Sequence, residues 1–164
     1  MITTTKPTQI CLTVIGRPQQ RGSKRAVLIP KRGGGFVVKN GRPIVAARDM
    51  NEKSKEWMGQ VRDAAHASYS GDLLQGPIRL TCLFYFRRPK SHLRSGKRSG
   101  ELKDSAPEYH CSTPDLAKLF RCLEDALTGV VWRDDRQVCL YGSGSGKFWT
   151  TSAEMAVVNI EELI

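Results

Sequence analysis

Three aspartates carry the first chemical argument. Asp115 stands where a segment of helical periodicity begins, and Asp134 and Asp135 sit together in a charged turn just after that segment. The short path from Thr128 to Arg133 lets the chain turn back along the helix, so Asp115 can meet one or both of the later acids. Carboxylates brought close repel, and each becomes harder to ionise. A divalent cation removes that cost, and hard oxygen donors select Mg²⁺ or Mn²⁺. Such an ion can activate water and stabilise the charge developing on a phosphodiester. The residues alone leave a plainer reading open: Asp115 as a charge favoured at a helix N-terminus, with Asp134-Asp135 only a turn.

The second feature is positive charge. The chain carries 26 Lys and Arg against 16 Asp and Glu, a net charge of +10. A basic surface concentrates polyanions, and phosphate contacts then supply most of the affinity. Two stretches concentrate the cations. One holds Arg17, Arg21, Lys24 and Arg25; the other, the long segment 87–110, includes Arg87, Arg88, Lys90, Arg94, Lys97 and Arg98. Both are expected to grip nucleic acid. A soluble basic protein or a structural component of a ribosome or phage particle would share the composition without the site.

Other chemistries find less support. The run GSGSGK at 142–147 lacks the spacing of a phosphate loop, has no Ser or Thr after Lys147, and joins strand to strand, so it is expected to be a flexible loop. The five cysteines form no C-x-x-C pair, and Cys111 beside His110 is too small a set for zinc. Cys11, Cys82 and Cys122 lie in apolar stretches and are expected to be buried. Reduced thiols point to the cytoplasm. The opening residues lack a signal-peptide pattern, and no apolar run reaches the length of a membrane span.

The elements that must position these residues follow from periodicity. Residues 8–15, 26–29, 36–38, 78–86, 130–132, 137–141 and 153–160 have strand character, with Asn40-Gly41 as a tight turn. The run 78–86 turns apolar on both faces, which predicts a central strand buried on both sides. Helical spacing predicts helices over 51–68 and 114–127, the second capped by Thr113 with Pro114 at its first position. Segment 87–110 has little periodicity and is expected to be a mobile basic loop. Length and pattern together predict one α+β domain over 1–164, a mixed β-sheet with two main helices.

The segment TPDLAKLFRCLEDALTGVVWRDDRQV (113–138) resembles the signature of the RusA endodeoxyribonuclease family, which runs roughly K-P-D-x-D-N-L-x-K, then D-A-L-x-G, then D-D-x-Q-V. The stretch VIGRPQQRGSKR (14–25) is similar to the family's opening. The resemblance implies a homodimeric Holliday junction resolvase acting in DNA recombination and repair. Such an enzyme makes paired nicks in branched DNA with Mg²⁺, for which Mn²⁺ can substitute, and needs no small-molecule cofactor. On it, Asp115 and Asp135 match metal-binding acids with Asp134 beside them, and Asp125 matches an acid expected to be structural. Arg121 stands at the family's functional lysine; with Lys118 it would hold the scissile phosphate, but arginine does not release its proton. Ala117 departs from the pattern, because the family commonly has a second aspartate there, and Lys118 replaces the usual Asn. Three accounts of Ala117 stand open: Glu124, Asp134 or another acid substitutes; the chain is an engineered inactive form; or catalysis is lost and junction binding kept.

Overall fold

A computed structural model of the chain describes residues 8–49 and 51–163. In chain order it contains β1 (Gln9–Ile15), β2 (Lys24–Leu28), β3 (Val38–Lys39), β4 (Arg42–Pro43), β5 (Val45–Asp49), α1 (Lys53–Ser68), β6 (Ile78–Arg87), α2 (Leu116–Leu127), β7 (Val138–Tyr141), β8 (Gly146–Thr150) and β9 (Met155–Glu162). The architecture is α+β with a mixed sheet and two helices, as the periodicities predict.

Five strands form the main sheet. β9 lies between β1 and β6 and is antiparallel to both, while β7 and β8 run parallel to β6. β7 pairs with the start of β6 and β8 with its end, so together they make one interrupted edge strand. Gly142 lies at the interruption, where its N–H donates to Leu80 O and an added Cβ would collide with Thr81 Oγ1. Only glycine allows the backbone to approach β6 so closely there.

Alternation sets the core. Ile10, Leu12 and Val14 of β1, Ile78, Leu80, Cys82, Phe84 and Phe86 of β6, and Ala156, Val158 and Ile160 of β9 all point to one buried face. Trp57, Met58, Val61 and Ala65 of α1 join that core, as do Leu119, Phe120, Cys122, Leu123, Ala126 and Leu127 of α2. Each helix thus buries one stripe and leaves the other for polar side chains.

Several expectations are corrected here. β6 is buried on one face only, its alternate residues being half-buried, because the helices cover a single side of the sheet. Residues 130–132 form a turn with isolated bridges from Trp132 to Thr128 and Leu74. The glycine-rich segment leads into a strand, β8, and β9 crosses to the middle of the sheet. Cys11 alternates outward and is exposed, whereas Cys82 and Cys122 are buried. Segment 87–110 is more ordered than its composition suggests. It holds two 3₁₀ turns, a Leu93–Leu102 bridge, and main-chain bonds that tie Glu108 and His110 to β8.

Candidate active site

α2 begins two positions later than its sequence pattern implies, at Leu116 instead of Pro114. Asp115 is the N-cap residue, Pro114 precedes the helix after a cis peptide bond, and the Asp115 carboxylate makes no capping hydrogen bond. That carboxylate is exposed and lies 2.9 Å from Lys118 Nζ. Lys118 holds it below the usual carboxylate range, with a smaller contribution from the Lys147 charge. Two neighbours fix the approach to the helix. Gln20 Oε1 accepts from the Asp115 N–H at 2.7 Å, and Lys147 Nζ donates to Ser112 O at 2.6 Å and Pro114 O at 2.7 Å. Neither Gln20 nor Lys147 was legible as a site residue; Lys147 emerges only because β8 lies beside β6.

The exposed face of α2 continues the site. Ala117, Arg121 and Glu124 recur at spacings of four and three, which places them on one side of the helix. Arg121 is exposed and Glu124 is half-buried. Tyr141 lies over this face, its ring 4.3 Å from that of Phe120, and its hydroxyl donates to Glu124 Oε1 at 2.7 Å. Burial raises the Glu124 carboxyl above its ordinary value; the Asp135 and Asp125 charges add to that, and Tyr141 and Arg121 oppose it. Burial and Glu124 in turn push the Tyr141 phenol up to about 12.

Asp134 and Asp135 open the 3₁₀ turn Asp135–Gln137. The Asp134 carboxylate accepts from the Arg136 N–H at 3.1 Å and lies 3.5 Å from Arg136 Nε, so it serves the turn itself. Gln137 clamps that turn: its side-chain oxygen accepts from the N–H groups of Arg133 and Asp134 at 3.0 Å each, and its amide donates to Leu74 O at 2.9 Å and Gly76 O at 3.0 Å. Asp135 is left exposed, near enough to Glu124 for its charge to act on that carboxyl.

The acids thus fall into two neighbourhoods, Asp115 with Lys118 and Lys147, and Asp135 with Glu124 and Arg121. Among the described residues no group of three or more His, Cys, Asp or Glu side chains could hold a metal ion. The carboxylates suit a hard cation in kind. They fall short in number, and Ala117 offers a methyl group where the sequence signature has an acid.

The expected DNA-binding cations are dispersed. Arg21 pairs with Asp125 at 2.6 Å, and its N–H donates to Lys118 O, which ties the basic loop to α2 and gives Asp125 a structural role. Arg17 is largely exposed, 3.8 Å from Glu154. Arg25, Arg87, Lys90 and Lys97 are exposed, and the side chain of Lys24 lies outside the described residues. Arg88 donates to Pro107 O. Arg94 grips both Asp104 oxygens at 2.7 Å, and Arg98 pairs with Glu101. Two of the loop's cations therefore face acids of the same loop.

Residues 35–161 match the family Endodeoxyribonuclease RusA. The chain belongs to the RusA endodeoxyribonuclease family. Its members are metal-dependent nucleases that act on Holliday junctions, and the α+β fold and the acids of α2 and the following turn lie within the matched span. The N-terminal resemblance at 14–25 falls outside it. No curated protein matches the chain. No described helix is long and apolar enough to cross a membrane.

Glu124 gives this RusA-family site a pH signature. A carboxyl whose proton affinity rises on folding favours the protonated state when folded, so the folded form loses stability as pH climbs from the ordinary value of 4.5 through the raised one. Gln keeps an oxygen to accept from Tyr141 and cannot ionise. Glu124→Gln should therefore raise thermal stability relative to the parent by a margin that opens above pH 4.5 and then levels off. Melting curves from pH 4 to 8 measure this, and a constant margin would show that Glu124 ionises as freely in the folded chain as in the unfolded one.

Proposed function

We propose that this chain binds four-way DNA junctions and cuts them by paired phosphodiester hydrolysis, at a rate held down by a metal centre short of one carboxylate. Mg²⁺ is the ion this oxygen chemistry suits, with Mn²⁺ able to substitute. Asp115 and Asp135 are the acids retained for it, and Asp134 shapes the turn that presents Asp135. Lys118 and Arg121 supply positive charge for the scissile phosphate, Arg121 as a bidentate donor and not as an acid. Two copies of the chain would match the pseudo-twofold symmetry of the junction. Five free cysteines accord with a reducing compartment such as the cytoplasm.

The observation that carries this reading is Ala117 on the face of α2 shared by Arg121 and Glu124. Asp115 with Lys118 on one side and Asp135 with Arg121 on the other support a nuclease reading in which one donor is absent. The experiment is a titration of a fixed four-way junction and a linear duplex of equal length, with Mg²⁺ and with chelator. Tighter binding of the junction, with slow nicks only when Mg²⁺ is present, supports the proposal. Equal binding of both DNAs would remove the junction from it, and tight junction binding without product at any Mg²⁺ concentration would reduce the chain to a binding module.

A further inference from the structure

We propose that the β-ribbon formed by β2 to β5 is a DNA-gripping arm that closes on a duplex arm of the junction; this rests on the function proposed above. The ribbon is separate from the main sheet. Among the described residues β2 pairs only with β5, and β3 only with β4. No residue from 25 to 47 is buried, and the core passes from Val14 in β1 to α1 without drawing on this stretch. Phe36, Val38 and Val45 remain more than half exposed, at 51%, 56% and 54%. A two-stranded ribbon that contributes no residue to a buried core is only marginally stable alone, so its exposed apolar and basic side chains point to a partner.

The charges specify that partner. Residues 25–47 contain five cations and no acid: Arg25, Lys31, Arg32, Lys39 and Arg42. None of the five makes an ion pair among the described residues, unlike Arg94 and Arg98 of the other basic segment. Their placement is concentrated. The β2–β5 ladder runs from Lys24–Asp49 to Leu28–Val45, and beyond it come two turns, one at Lys31–Gly35 and one at Asn40–Gly41. Lys31 and Arg32 sit in the first turn; Lys39 and Arg42 flank the second and face each other directly across the β3–β4 pair. Like charges opposite each other destabilise a ladder. An anion between them reverses the sign of that contribution.

From Lys24 to Lys31 the ribbon extends about 23 Å at the usual rise per residue. A two-stranded ribbon fits the major groove of B-form DNA, and exposed backbone and side-chain cations grip phosphates on either side. A second copy of the chain would bring five further cations to the same surface, so charge favours DNA over self-association.

The experiment measures binding of the fixed junction and of a linear duplex by fluorescence anisotropy from 50 to 300 mM salt. The proteins are the parent, a variant carrying Arg25→Gln, Lys31→Gln, Arg32→Gln, Lys39→Gln and Arg42→Gln, and a control carrying Lys90→Gln, Lys97→Gln and Lys103→Gln. Each lost phosphate contact should flatten the log–log salt slope by about 0.9. The ribbon variant is expected to lose at least tenfold in affinity for both DNAs at 100 mM salt and to flatten the slope by about 3 to 4, with a melting temperature no lower than the parent's, since the Lys39–Arg42 repulsion is removed. The control should change the slope less. An unaltered slope in the ribbon variant overturns the arm, and so does a change in sedimentation that shows the ribbon holding two copies together. If the parent binds DNA but does not prefer the junction, the function proposed above fails while the duplex data still decide the arm. If the parent binds neither DNA, both fail.

Discussion

Ala117→Asp should raise Mg²⁺-dependent nicking of a four-way junction by one to two orders of magnitude. Even residues behind the ligands of a metal site typically change affinity or activity by about 10–100-fold, and a carboxylate at 117 would be placed to act on the ion directly. Position 117 is exposed in the first turn of α2, one turn before Arg121 and two before Glu124, so an aspartate there meets no steric barrier. The helix should accept it. Aspartate is a poorer helix former than alanine by up to about 0.7 kcal/mol, but an acid near the N-terminus recovers a similar amount from the helix dipole. Without metal the new charge stands two residues from Asp115 and should repel it; with Mg²⁺ that repulsion becomes coordination. The variant should therefore show a melting temperature that climbs with Mg²⁺ concentration, since a ligand that binds only the folded state stabilises it by mass action. Ala117→Asn, similar in shape and uncharged, should show neither gain. Adding Asp135→Asn to Ala117→Asp should cancel the new nicking. If Ala117→Asp changes neither nicking nor the Mg²⁺ response of the melting temperature, the centre was not short of a donor at that position.

The parts of the molecule that were legible in the sequence are those where one physical pattern dominates. α2 has an apolar stripe at regular spacing, so its C-terminal end and its buried Leu119 and Leu123 could be anticipated, whereas the acid that Asp135 neighbours is Glu124 and not the expected Asp115. β1 alternates strictly and was equally plain. β8 was missed because its neighbours are glycines and its role depends on β6, a partner about sixty residues away that no local pattern announces. The one-sided burial of β6 escaped for a related reason, since Leu83 and Tyr85 are apolar whether a helix covers them or not. Within the site, the acids could be located by type, but their partners could not. The Lys118 and Lys147 charges around Asp115, and the Tyr141 hydrogen bond to Glu124, are products of tertiary placement. The ribbon cations were underestimated because Arg25 to Arg42 are scattered in sequence and gather only when the strands pair.

Gln137→Ala should cost about 2–4 kcal/mol of stability and reduce cleavage more than binding. Its side chain makes four hydrogen bonds, two accepted from the turn that carries Asp134 and Asp135 and two donated to the chain just before β6. At roughly 1 kcal/mol net for each bond, discounted because the residue is only half-buried, the loss falls in that range. For a chain of this size the melting temperature should drop by about 5–12 °C. The functional consequence follows from what those bonds connect. Leu74 and Gly76 lead directly into β6, an interior strand, so Gln137 ties the acidic turn to the sheet; without it Asp135 loses its fixed relation to Glu124 and Arg121. The ribbon cations lie elsewhere in the fold and keep their hold on DNA. Gln137→Glu separates the two halves of the clamp. A carboxylate still accepts from the Arg133 and Asp134 N–H groups, but it cannot donate to the Leu74 and Gly76 carbonyls and places a charge against them. If Glu is as damaging as Ala, attachment of the turn to β6 is the dominant contribution; if Glu is nearly neutral, the local turn is what matters. Junction affinity falling in parallel with cleavage in Gln137→Ala would show that the residue supports the whole DNA-binding surface and not the acidic turn in particular.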